Sequence, residues 1–81
     1  MLAMTPRDKA QEGRRLLEEA VLEILANHPD GLQNVQVASL LDIHSYYRGA
    51  QKDYLSWSIL GLLLNENRVV RTGRKYKLPK A

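Results

Sequence analysis

Cysteine is missing from the 81-residue chain, which excludes disulfide staples and thiolate metal sites and fits a reducing compartment; the cytoplasm is the expected location. Long hydrophobic runs are missing too. The longest, Ile59 to Leu64, is far below the roughly 20 residues that span a bilayer. Met1 to Thr5 lacks the basic and apolar regions of a signal peptide, so the expectation is a soluble protein with no membrane partner. There is no glycine-rich phosphate loop and no nucleophile elbow. The only histidines, His28 and His44, sit beside turns without clustered carboxylates and read as surface residues, so no metal, cofactor or acid–base site is expected. Glu18 and Glu19 are adjacent, which sends their side chains to different azimuths of a helix instead of converging as a catalytic pair. The chain is expected not to be an enzyme.

Acidic side chains are also missing from one end. Residues 1–66 carry six basic side chains and all nine acidic ones, net −3, whereas residues 68–81 carry six basic ones and no acid. A basic segment on an acidic body creates a directional field that favours docking of a polyanion through one face. A solvated, charge-rich edge that keeps a hairpin from aggregating has the same composition.

Eighty-one residues make one domain, which buries only about 60–65 % of its unfolded surface, so few large side chains can be spared from the core. Residues 1–5 are expected to be disordered. Thr5-Pro6-Arg7-Asp8 combines a capping threonine, a proline at the first helical position and a carboxylate three residues after the cap, so helix 1 begins near Pro6. Residues 6–15 have no apolar face and are expected to protrude and fray. From Leu16 onward Leu17, Ala20, Val21, Ile24 and Leu25 recur at helical spacing, with Glu18, Glu19 and Glu23 on the outer side. His28-Pro29-Asp30-Gly31 ends the helix. Asn34 is positioned to cap a short helix 2, Val35 to Leu41, which buries Val37, Ala38 and Leu41, with Ile43 just beyond.

The stretch Gln51 to Asn65 is the pillar of the chain. At 100° per residue Leu55, Ile59, Leu62 and Leu63 share one arc, and Trp57, Leu60 and Leu64 form a second. Gln51, Lys52, Asp53 and Ser56 leave its head wet. In the C-terminal segment, Thr72 and Gly73 as turn residues pair Arg71 with Arg74, Val70 with Lys75 and Val69 with Tyr76. That register puts Val69, Tyr76 and Leu78 on a face that caps the core, and Arg71 with Arg74 at the tip.

The run GLQNVQVASLLDI resembles the opening of a helix-turn-helix, and ILGLLLNENRVVRTGRKYKL resembles the end of the second helix and the wing of winged-helix DNA-binding domains. The resemblance covers about residues 15–79. It implies a mainly α fold with a small β-hairpin, a three-helix winged helix-turn-helix. GAQKDYLSWSILGLLL is also similar to winged-helix segments associated with bacterial restriction and modification systems. Between Ile43 and Gln51 the run HSYYRGAQ departs from the pattern, being longer than a helix-turn-helix turn of about three or four residues. It forms either an extra helical turn before Gly49 or an open loop.

The partner implied is double-stranded DNA, and the biological task transcriptional regulation or DNA targeting. The candidate contacts are Arg71, Arg74 and Lys75 on the wing, Gln51, Lys52 and Ser56 at the head of helix 3, and Tyr46, Tyr47 and Arg48 in the insertion. Six basic groups on six phosphates give a salt slope near −5, at about −0.9 each. Trp57, Leu60 and Leu64 are expected to pack under helix 1 or the wing; left uncovered, they mark a homodimer or protein-partner surface. The alternative is a winged-helix protein–protein module, or the detached domain of a larger DNA-processing enzyme.

Overall fold

The computed structural model describes residues 3–80. Three helices, α1 (Pro6–Ala26), α2 (Asn34–Leu40) and α3 (Tyr54–Asn65), alternate with five short strands. β1 (Leu32–Gln33), β4 (Val70–Thr72) and β5 (Lys75–Lys77) form an antiparallel sheet in the order β1-β5-β4. β2 (Tyr46–Tyr47) and β3 (Ala50–Gln51) form a separate hairpin between α2 and α3. Among the described residues no helix is long and apolar enough to cross a membrane.

Helix α1 starts where its capping signal lies: the Asp8 N–H donates to Thr5 Oγ1 and the Thr5 N–H donates back to Asp8 Oδ2, each at 3.1 Å. Thr5 is therefore a placed cap, and of the expected disordered stretch Met1 and Leu2 lie outside the described residues. The exposed first half is regular helix all the same. Arg15 bridges Glu12 and Glu19, and Arg14 bonds Glu18 at 2.8 Å, so pairs spaced three and four apart replace the missing apolar face. Glu18 was expected to point outward; it is buried, because Arg68 Nη1 reaches it at 3.2 Å from the far end of the chain and closes the site over it.

The core gathers Val21 and Leu25 of α1, Leu32 of β1, Val37 of α2, Ile59, Leu60 and Leu63 of α3, Val69, and Tyr76 of β5. The buried arc of α3 is centred on Ser56, Ile59, Leu60 and Leu63. It lies between the two arcs inferred from sequence and takes one or two members from each. Leu55, expected inside, is exposed, and so is Trp57, at 58 %. Leu60 is in the core, which ends its candidacy as a partner surface, and Leu64 packs half-buried against it.

Helix α2 begins one residue earlier than its pattern indicates. Gln33 is the cap residue, its N–H donating to Gln36 Oε1 at 2.8 Å, and Asn34 enters the helix with its side chain free to reach α3. In the C-terminal hairpin the pairs are Val70 with Lys77, Arg71 with Tyr76 and Thr72 with Lys75, so Gly73 and Arg74 form the turn. Gly73 takes the first central position with φ +61°, as a type II′ turn requires. The turn moves by one residue but each pairing shifts by two, so the faces keep their identity: Val69 and Tyr76 still cap the core. Gly31, at φ +92°, lets the chain pass the sheet, since a Cβ there would lie 3.1 Å from Lys75 Cβ and from the Tyr76 carbonyl oxygen.

In urea denaturation Leu60→Ala should cost about 2–5 kcal/mol of stability, whereas Trp57→Ala should stay within about 0.5 kcal/mol of the parent. Equal losses would contradict the division of α3 into a buried and an exposed side.

Candidate nucleic-acid interface

One carboxylate organises the approach to α3. Asp53 stands just before the helix with φ +52°, a left-handed conformation that aspartate tolerates better than most residues, and it is 95 % buried from solvent at 5 % exposure. Oδ1 accepts from His44 Nδ1 at 2.8 Å and from the Ser45 N–H at 3.2 Å, and Oδ2 accepts from Gln51 Nε2 at 2.9 Å. Burial by itself would raise this carboxyl's pKa; the hydrogen bonds from Gln51, His44 and Ser45 outweigh it and hold the group below its ordinary value. Asp53, expected at the wet head of the helix, is therefore a buried acceptor, and His44 is a positioning partner, not a bare surface histidine.

The backbone of the same residue is the second anchor. The Asp53 carbonyl accepts from Asn34 Nδ2 at 3.1 Å and from Ser56 Oγ at 3.2 Å, and Ser56 Oγ also lies 2.7 Å from Asn34 Oδ1. Ser56 was expected at the exposed head of the helix; it is fully buried as the joint between α2 and α3. Lys52 and Asp53 both donate backbone N–H bonds to the Ser45 carbonyl, closing the segment between α2 and α3 into a ring.

That closure turns the insertion into a hairpin, neither an extra helical turn nor an open loop. Tyr46 pairs with Gln51 and Tyr47 with Ala50, and Arg48 and Gly49 both have positive φ at the tip, the pattern of a type I′ turn. Gln51 and Lys52, read as helical, therefore belong to a strand and a linker, and α3 begins only at Tyr54. Tyr46, Tyr47 and Tyr54 are all exposed. Tyr47 meets Tyr54 edge-on with ring centroids 6.5 Å apart, and the Arg48 guanidinium lies 5.4 Å over the Tyr47 ring.

The ring brings the candidates together. An open cleft of about 440 Å³ runs between the start of α3 and the C-terminal hairpin, with Gln51, Lys52, Trp57, Arg71 and Arg74 in its walls and Gln33 and Asn34 at one end. The Arg71 guanidinium rests 5.4 Å over the Tyr76 ring while its Nε donates to the Gly73 carbonyl at 2.9 Å, so its remaining donors are aimed by the hairpin itself. Among the described residues none of Lys52, Arg71 and Arg74 is in an ion pair, whereas Arg14, Arg15 and Arg68 all are. Three uncommitted cations against the one satisfied carboxylate make the cleft positive.

Other candidates fall elsewhere. Lys75 is exposed but alternates with Arg71 and Tyr76 onto the opposite face of the hairpin, pairing with Thr72 and Gln33. Tyr46, Tyr47 and Arg48 stand on the neighbouring hairpin and not in the cleft wall. Trp57 is the wall residue that pattern reading assigned to packing; its azimuth beside Tyr54, three residues earlier, is the signal that places it outside. Among the described residues no group of three His, Asp or Glu side chains is arranged to hold a metal ion. No protein-family model, curated protein or solved structure matches the chain.

Because the Asp53 pKa is lower folded than the ordinary value of about 3.9, its contribution to stability is complete above that value and is lost as pH falls through the folded pKa. Thermal melts should show Asp53→Asn less stable than the parent at neutral pH, with the gap narrowing below about pH 4. A gap that does not change with pH would contradict the role given to the carboxylate.

Proposed function

We propose that this chain is a winged-helix DNA-binding module of the bacterial type, with a regulatory or DNA-targeting task in the cytoplasm. The C-terminal hairpin is its wing, and α3, preceded by Gln51 and Lys52, is the element presented to the major groove. The observation that carries this reading is the convergence of Lys52, Arg71 and Arg74, all free of ion pairs, on one open cleft. Three arginines are instead held in internal ion pairs: Arg14 and Arg68 bind Glu18, and Arg15 binds Glu12 and Glu19. A fold that spends some cations on internal pairs and leaves three pointing into a common groove is suited to hold the phosphates of a duplex. The observed order, helix, strand, helix, hairpin, helix, hairpin, contains that of a winged helix with one hairpin added between the second and third helices.

A protein–protein module is the second reading, and the outer face of α3 favours it. Helix α3 contains no charged residue, and Tyr54, Leu55 and Trp57 are exposed on it, the composition of a surface that meets another protein. Such a module dimerises or captures a partner without responding to DNA.

Labelled duplex of random sequence, titrated at several salt concentrations, separates the two. With three cations on phosphates, log affinity should fall against log salt with a slope near −3, from about −0.9 per phosphate. That replaces the steeper value drawn from all six C-terminal cations: Arg68 is in an ion pair, Lys75 and Lys77 lie on the opposite face of the hairpin from Tyr76, and Lys80 lies beside Leu25 and Pro29, which leaves Arg71 and Arg74, joined by Lys52. Arg71→Ala combined with Arg74→Ala should abolish most binding. No binding, with dimers on a sizing column, would overturn the DNA reading in favour of the module.

A further inference from the structure

The exposed side of α3 fits direct reading of a duplex poorly. Base edges in the major groove are matched by arginine, lysine, asparagine and glutamine, whereas the exposed residues here are Tyr54, Leu55, Trp57, Ser58, Gly61 and Asn65. Of these only Asn65, at the far end of the helix, has the usual chemistry. What α3 presents beside the cations is aromatic surface. Trp57 is 58 % exposed in a chain whose small core would gain from burying it, and it stands in the wall of the same cleft as Lys52, Arg71 and Arg74.

We infer that the cleft takes an unpaired nucleotide adjoining a duplex, its base stacked on Trp57 and its phosphates on Arg71, Arg74 and Lys52. The inference rests on the DNA-binding reading and deepens it by naming the form of DNA. A flat π surface beside a cationic groove is the pairing of features that holds single-stranded nucleic acid without reading its sequence. Tyr54 is the helical neighbour of Trp57, Tyr47 touches Tyr54, and Arg48 covers Tyr47, so further bases of a tail have a continuous aromatic and cationic path leading away from the cleft. Base pairs inside a duplex expose only their edges and cannot use these surfaces.

Trp57 is the only tryptophan, so its emission reports on the site without labelling. The test compares a blunt duplex with the same duplex carrying a short single-stranded tail, by fluorescence anisotropy of labelled DNA and by tryptophan quenching. The tailed duplex should bind about ten-fold tighter and quench Trp57 strongly, while the blunt duplex should quench it little. Trp57→Ala should remove the preference for the tail, bringing tailed and blunt duplexes to the same affinity, and Trp57→Phe should keep most of the preference. Equal affinity for both DNAs with no quenching by the tail would overturn the inference and leave the DNA-binding reading standing. A preference for the tail that survives Trp57→Ala would overturn the stacking assignment. Binding of neither DNA would overturn both readings together.

Discussion

The corner built on Asp53 organises the side of the protein that carries the cleft. Its side chain gathers His44, Ser45 and Gln51, and its carbonyl gathers Asn34 and Ser56, so one residue joins α2, the inserted hairpin and α3. A buried carboxylate left without such partners carries a large desolvation cost, which makes the arrangement all-or-none: the donors must be in place for the charge to be tolerated. The left-handed turn at Asp53 then directs the chain so that Lys52 stands across from Arg71 and Arg74. The position of the first cation of the cleft is thus a consequence of satisfying a buried charge next to it.

Electrostatics sort the basic residues into two populations. Arg14 and Arg68 are drawn onto Glu18, with Glu66 close by, and this cluster ties the start of the C-terminal hairpin to α1. Arg71 and Arg74, a few residues further on, have no carboxylate to meet and face solvent. The net charge of +3 understates the contrast, since residues 1–66 carry six basic and nine acidic side chains and residues 68–81 six basic and no acidic ones. Exposed aromatic rings stand beside these cations, and this combination is what the proposed nucleic-acid contact uses.

Much of the scaffold was legible in the residues. The Thr5 cap, the turn at His28 to Gly31, the buried Val37 and Ala38, and the hairpin face bearing Val69 and Tyr76 follow from capping chemistry and apolar spacing, which are local. The misplaced side chains Asn34, Ser56 and Glu18 share one physical origin, the long-range polar contact. Asn34 looked like a cap because nothing in its neighbourhood reveals Ser56, which lies 22 residues away. Ser56 looked exposed, being polar at a helix head, and Glu18 looked outward until Arg68 arrived from 50 residues on. The rotation of α3 followed from these, for once Ser56 is inside, Leu55 and Trp57 must turn out. Of the proposed contacts, Gln51, Lys52, Arg71 and Arg74 do meet, although two of them lie before the helix they were assigned to.

The central claim is that the face shared by the Asp53 corner and the C-terminal hairpin is the one that meets DNA. The most direct measurement is a map of backbone amide shifts as DNA is added to isotopically labelled protein. The account predicts shifts confined to residues 33–35, 46–57 and 71–76, with α1 unmoved. Shifts concentrated on α1, or none at saturating DNA, would contradict it.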